Sequence, residues 1–229
     1  PWRETKDAYA IWLSEVILQQ TRIAQGMAYW HRFIQQWPTV YDLANASEDE
    51  ILKAWQGLGY YSRARNLHKA AQQVVDRKGF PKTSKELKEL KGVGEYTAAA
   101  IASFAFDEEV AVVDGNVYRV LARFKGIDTP IDTTSGKKEF QELAQSLLPT
   151  QNSARYNQAI MDFGAIQCTP TSPHCAVCPL CESCVAYREQ RIQLLPVKSK
   201  TIKQKERKLT YLYIQYNNEI ALHQRGAGD

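Results

Sequence analysis

All five cysteines of this 229-residue chain, Cys168, Cys175, Cys178, Cys181 and Cys184, fall within seventeen consecutive residues, and the other 212 contain none. An odd set crowded into one segment argues for metal ligation over a disulfide framework. The spacing is Cys168-x6-Cys175-x2-Cys178-x5-Cys184, and Cys181 adds a competing Cys175-x2-Cys178-x2-Cys181-x2-Cys184 run. Four thiolates can be gathered on an iron-sulfur cube or on a tetrahedral zinc ion, so both groups are open on residue types alone.

Upstream, over residues 7–147, apolar residues recur every three or four positions, punctuated by Gly, Pro, Asp or Ser, which is the pattern of an all-α domain. Helices are expected over about residues 7–25, 26–36, 48–56, 62–77, 84–90, 96–105, 115–125 and 135–147. A second small domain then runs to the cysteines. Residues 188–208 turn polar and basic (Lys198, Lys200, Lys203, Lys205, Arg207, Lys208) and read as a solvated linker. Beyond it, 209–214 and 219–223 carry the only strand patterns, the first hairpin of a domain that the chain cuts short at Asp229. Pro1-Trp2-Arg3 reads as the interior of a sequence, so a short N-terminal piece is expected before it. No apolar run approaches the ~18 residues of a membrane span. The net charge of +4 permits a polyanionic partner without identifying one.

One segment echoes another: Gln56-Gly57-Leu58-Gly59-Tyr60-Tyr61-Ser62 and Lys91-Gly92-Val93-Gly94-Glu95-Tyr96-Thr97 are offset by 35 residues, each between helical stretches. Glycines in such a turn let backbone N–H groups at a helix start approach an anion. This is helix-hairpin-helix grammar with a DNA phosphate as the expected anion, against the plainer reading of an ordinary helix connection. In the first helix Glu15 lies on the stripe of Ala8, Ile11, Trp12 and Leu18, so a carboxyl group is directed inward. Desolvation would keep it protonated near neutrality as a general acid, unless it pairs with Arg3 or Arg22. Asp114 precedes the stripe of Val117, Val120, Leu121 and Phe124 and occupies a natural N-cap position, a structural role common to such residues. An acid plus a second carboxylate is also the equipment for cleaving a glycosidic bond.

Residues 13–21 (Leu-Ser-Glu-Val-Ile-Leu-Gln-Gln-Thr), 57–67, 92–98 and Val113-Asp114-Gly115-Asn116-Val117 together resemble the ordered signatures of the MutY adenine glycosylases, and the resemblance covers residues 1 to about 190. It implies the fold of endonuclease III: a six-helix barrel with the helix-hairpin-helix over 7–108, and an iron-sulfur cluster domain of 1–6 and 109–187. Residues 209–229 would begin a truncated Nudix-like domain. The function implied is removal of adenine opposite 8-oxoguanine or guanine in double-stranded DNA, by a monomer without membrane attachment, in the cytoplasm at the nucleoid if the chain is bacterial. The flipped adenine would be protonated by Glu15, the sugar cation met by Asp114, and Asp114 and water positioned by Asn116. Tyr96 stands where bifunctional relatives carry a lysine, which implies base removal without efficient strand cleavage. The resemblance further implies an adenine pocket of Trp2, Arg3, Leu18 and Gln158. Gln20, Thr21, Leu58 and Tyr60 would probe or wedge beside the opposite base, although Tyr60 would equally suit the core. Gly92, Val93 and Gly94 would hold the DNA backbone, with a monovalent cation on the carbonyls of Leu90 and Val93. Arg63 and Arg65 would touch phosphates or simply face solvent. The cofactor implied is a [4Fe-4S] cluster on Cys168, Cys175, Cys178 and Cys184, leaving Cys181 unligated.

Two other readings are open. An endonuclease III-like glycosylase for oxidised pyrimidines is opposed by Tyr96 and by Gln19-Gln20-Thr21. A DNA-binding module without catalysis is opposed by the presence of both Glu15 and Asp114.

Overall fold

A computed structural model describes residues 1–199, 206, 208, 210 and 212–222. The chain divides into two units, Pro1–Ser199 and Lys200–Asp229. The first is all helix and turn: α1 (Ala8–Ile17), α2 (Ile23–Gln36), α3 (Val40–Asn45), α4 (Glu48–Ala54), α5 (Ser62–Asp76), α6 (Ser84–Leu87), α7 (Glu95–Phe106), α8 (Gly115–Lys125), α9 (Thr134–Leu147), α10 (Ser153–Ile166) and α11 (Val185–Arg188). No helix among the described residues is long and apolar enough to cross a membrane.

Three boundaries depart from the periodic pattern. The expected helix over 7–25 stops at Ile17, and α2 starts only at Ile23. No glycine or proline marks that break; Gln20 makes the turn with a left-handed φ of 56°, beside carbonyls drawn off by Arg63. Helix α3 is too short to show a period, and its signal is a capping box in which Thr39 and Asp42 cap each other's backbone. Helix α10 begins at Ser153, after Asn152, which is left-handed at φ 61° and makes no side-chain capping bond.

Helices α1 and α7 are buried nearly all round, as expected of elements at the centre of a core rather than on its surface. They pack on each other; α3 and α4 pack on α5, and α8 packs on α9, α10 and α11. Trp12, Phe33, Trp55, Leu43, Ile51 and Leu67 fill the first core, with Phe33 edge-on to Trp55 at 5.9 Å. A second core gathers Val117, Leu121, Phe140, Ala186 and Leu195. The extended run 110–113 joins them by its two-residue alternation: Val112 faces the first core, Ala111 and Val113 the second. Asn157 of α10 stitches the seam, donating to Ser103 Oγ and the Val110 carbonyl (2.9 Å each) and accepting from the Val112 N–H at 3.1 Å.

Two expected groupings need correction. Residues 1–6 do not go with the cysteine-bearing half alone: Trp2 sits edge-on to Trp30 at 5.6 Å in the first core, while Arg3 pairs with Asp162 of α10. Nor does a solvated linker begin at residue 188. Leu195 is buried, Arg123 donates to the carbonyls of Ile192 and Leu195 (3.1 Å each), and the Ile131 N–H donates to the Val197 carbonyl. Apolar Ile192, Leu195 and Val197 among the basic residues hold 188–199 to the second core. Lys200, Lys203, Lys205 and Arg207 of that linker lie outside the described residues, as do Leu209, Tyr211 and His223 of the expected strands. In the second unit β1 (Gln215–Tyr216) pairs antiparallel with β2 (Glu219–Ile220) across Asn217-Asn218, both at positive φ, the residue type that a tight two-residue hairpin turn demands. The hairpin is present, with its first described strand later than the 209–214 pattern.

Candidate active site

The packing of α1 on α7, and of α10 on α8, leaves a cavity of about 320 Å³ lined by Trp2, Arg3, Glu15, Leu18, Thr21, Tyr96, Asp114, Asn116 and Gln158, among others. That volume falls within the ~300–1,000 Å³ of small-molecule sites. Among the described residues, no lysine lines it.

Glu15 enters from a helix whose other faces are apolar, and burial pushes its carboxyl from 4.5 up to about 7. The Tyr96 hydroxyl donates to it and pulls the other way, the Asp114 charge pushes it further up, and Arg3 lowers it. Its partner is thus a phenol: no ion pair forms with Arg3 or Arg22, and Arg3 Nη1 meets Asp162 Oδ2 at 2.7 Å instead. Burial, then the neighbouring Glu15 charge, drive the Tyr96 hydroxyl well above its ordinary range, so it stays a donor.

Asp114 is the N-cap of α8 as well as a wall of the cavity. Its Oδ1 accepts from the N–H groups of Asn116 (2.9 Å) and Val117 (2.8 Å), and its Oδ2 accepts from Asn116 Nδ2 at 2.7 Å. The Asn116 amide is oriented in turn by Arg119, whose Nη2 donates to Asn116 Oδ1 at 2.8 Å and to the Gly164 carbonyl, and whose Nε donates to the Cys168 carbonyl at 2.7 Å. Gly164 permits the approach of α10, since a Cβ there would stand 2.7 Å from Asn116 Cβ and 2.9 Å from its carbonyl oxygen. Sequence reasoning missed Arg119, Asp162 and Gly164. The available signal was Tyr156, Ile160 and Phe163 at helical spacing, which marks α10; nothing local marks the roles of the other three.

The expected probing residues separate. Thr21 lines the cavity, while Gln20 is exposed and outside the lining. Tyr60 is 67% exposed, which removes the core-packing alternative, whereas Leu58 is 8% exposed and belongs to the first core, so only Tyr60 is presented. Arg63 is not a surface phosphate contact: its guanidinium turns inward onto the carbonyls of Gln19 (2.6 Å) and Leu58 (3.2 Å). Arg65 meets Glu48 at 3.1 Å. At the second hairpin Gly92 has φ 77° and no room for a Cβ, which would stand 2.8 Å from Asn66 Cβ. Gly94 starts α7 with no side-chain cap, Val93 is buried, and the Leu90 carbonyl accepts from the Val93 N–H at 3.1 Å.

The five cysteines, none of them in a disulfide, line one small apolar cavity with Val120, Arg123 and Phe124. Cys175 is pushed up by burial and then by the neighbouring Cys168, Cys178 and Cys184, while Arg123 pulls it down. Arg123 Nη1 reaches Cys168 Sγ at 3.5 Å and the Thr169 carbonyl at 2.7 Å. A shared pocket of soft donors fits a thiolate-held group. Among the described residues, however, no three Cys, His, Asp or Glu side chains stand in ligating geometry.

Known proteins share this architecture. An adenine DNA glycosylase of Mus musculus is 46% identical over 206 residues, covering 85% of this chain and 40% of its own length. The chain therefore spans about two fifths of that relative. A thermostable thymine-DNA glycosylase superposes with a TM-score of 0.76 at 31% identity, over 82% of this chain and 88% of its own. A non-covalent endonuclease III–DNA complex gives 0.69 at 24% identity, over 79% and 84%, a likeness of fold. The model of the HhH-GPD superfamily of base excision DNA repair proteins matches residues 13–149, more than half of the sequence, and the chain belongs to that family.

Proposed function

We propose that this chain removes adenine from double-stranded DNA by hydrolysing its N-glycosidic bond, with A opposite 8-oxoguanine or G as the substrate pair. The observation that carries the reading is the pairing of a carboxyl raised to about 7 with a second, hydrogen-bonded carboxylate across one cavity. A glycosidic bond to a purine breaks when the base leaves neutral and the sugar's positive charge is met. Glu15, protonated near neutrality, donates to the extruded base; Asp114, held by the start of α8 and by Asn116, faces the developing cation. Asn116 and Asp114 then orient the attacking water, and its proton passes to the Glu15 carboxylate, restoring the acid. With Tyr96 on the cavity wall and, among the described residues, no lysine lining it, no Schiff base with the sugar forms there, so base removal proceeds without strand cleavage. Trp2, Arg3, Leu18 and Gln158 hold the base. The uncapped start of α7 at Gly94 takes a phosphate, with a monovalent cation on the Leu90 and Val93 carbonyls. Cys168, Cys175, Cys178 and Cys184 would hold a [4Fe-4S] cluster, which fixes the 168–184 loop beside α8.

The test is incubation with duplexes carrying A opposite 8-oxoguanine, A opposite G, T opposite G, and an oxidised pyrimidine, with and without alkali. Alkali-dependent breakage at adenine is the expected result. Breakage only at T or at the oxidised pyrimidine supports instead a pyrimidine glycosylase, the second reading favoured by the 31% identity to the thymine-DNA glycosylase. Iron analysis separates a cluster, four irons per chain, from zinc.

A further inference from the structure

Arg63 is a cation enclosed by carbonyl oxygens. Its Nη1 donates to the carbonyls of Val16 (3.2 Å), Ile17 (3.2 Å) and Gln19 (2.6 Å), and its Nη2 to those of Leu58 (3.2 Å) and Gly59 (3.5 Å). Its Nε is buried with no partner, and none of the ion pairs among the described residues involves it. Two of the carbonyls, those of Val16 and Ile17, end α1, the negative pole of a helix whose last oxygens lack intrahelical donors, and that of Gln19 lies in the turn that follows. The other two belong to the tight turn after α4, where Gly57, Gly59 and Tyr60 are all left-handed (φ 97°, 69° and 47°). The guanidinium also lies over the rings of Trp55 (5.1 Å) and Tyr60 (5.8 Å). One planar group thus ties together two segments, each ending in a non-glycine residue of left-handed backbone, Gln20 and Tyr60, that reaches the surface. The second turn is also held by Trp55 Nε1 on the Gly59 carbonyl (3.0 Å) and by the Tyr29 hydroxyl on the Gln56 carbonyl (2.8 Å), whereas Arg63 donates to both segments at once.

We propose that Arg63 is a positioning residue that holds the Gln20–Thr21 turn and the Leu58–Tyr60 turn as one body, so that choice of the base opposite the excised one depends on Arg63 although its side chain faces away from DNA. This rests on the proposed reading of DNA by these two turns. Insertion of Tyr60 beside an unstacked base and probing by Gln20 and Thr21 require a fixed distance between the turns, and the two Nη groups of one planar fork, bonded to five carbonyls, set it. A lysine places a point charge with fewer donors there and cannot span both.

The test compares Arg63→Lys with the unaltered chain in single-turnover excision of A opposite 8-oxoguanine and A opposite G. The ratio of the two rates is expected to fall about tenfold, while Glu15 keeps the same descending limb in the pH profile. A ratio within twofold of the original, in a variant that melts cooperatively, overturns the proposal. Should Arg63→Lys fail to fold, native-state hydrogen exchange of the unaltered chain serves in its place: the amides of Thr21, Leu58 and Arg63 should open together with one denaturant dependence. Separate opening overturns the proposal. The same measurement stands if no duplex yields adenine, in which case the functional reading fails while the clamp is still judged on exchange alone.

Discussion

Glu15 sits in the middle of α1, which is buried almost all round, whereas Asp114 sits at the first turn of α8, and both open into the same cavity. The first position offers a carboxylate little but desolvation, so its proton is retained to about pH 7. The second offers two backbone N–H groups and an amide, which hold both carboxylate oxygens in place. Two chemically similar side chains thereby meet opposite surroundings according to where along a helix each one stands.

The largest effect is expected from substitution of the acid. Glu15→Gln should slow adenine release about a thousandfold, since the amide keeps the shape and loses the proton, while affinity for an uncleavable mismatch duplex is retained. Unchanged turnover in a single-turnover assay would remove Glu15 from the chemistry. Asp114→Asn should cost about a hundredfold in the same assay with little loss in Tm, because asparagine caps helices nearly as well. It should also lower the titration of Glu15, followed by carbon NMR of the labelled carboxyl, because the Asp114 charge helps hold that proton. Arg119→Gln or Gly164→Ala should slow excision about tenfold by turning the Asn116 amide. The first should also lower stability by about 2 kcal/mol in urea melts, since it leaves buried carbonyls without their donor.

Stability sharpens the contrast. Between 4.5 and about 7 the folded chain binds a proton at Glu15 that the unfolded chain has released, so stability falls as pH rises through that window. Glu15→Gln removes that fall and should exceed the original chain by on the order of 3 kcal/mol at pH 8, with the gap closing toward pH 4.5. The smallest effect is expected at Tyr96. Tyr96→Phe removes the donor that lowers Glu15, so the descending limb of the excision profile should move to higher pH by a fraction of a unit.

Much of this was legible along the chain. The stripe around Glu15, the cap at Asp114 and the glycines of both hairpins announce themselves within a few residues, because local periodicity and backbone demand leave marks at fixed spacing. Arg63 and Arg65 show the limit. Two residues apart in one helix, they read alike as surface cations, yet one is folded onto carbonyls and the other pairs with Glu48. Leu58 and Tyr60 likewise alternate between core and solvent because the turn between them runs through left-handed backbone, which no spacing rule describes.

Local sequence suffices for a helical first unit with two glycine hairpins, a carboxyl group buried from one helix face, and a cysteine segment distinct from the rest. These follow from residue spacing and from the conformations that glycine, aspartate and apolar stripes favour locally. It takes the packed helices to make Tyr96 the partner of Glu15, to link Asn116 through Arg119 to the Cys168 carbonyl, and to close the second core with residues 188–199. Each of those depends on which helix faces meet. Helices are positioned by the burial of their apolar surfaces, and the polar groups that come together across the seam are brought there by packing that no single segment encodes.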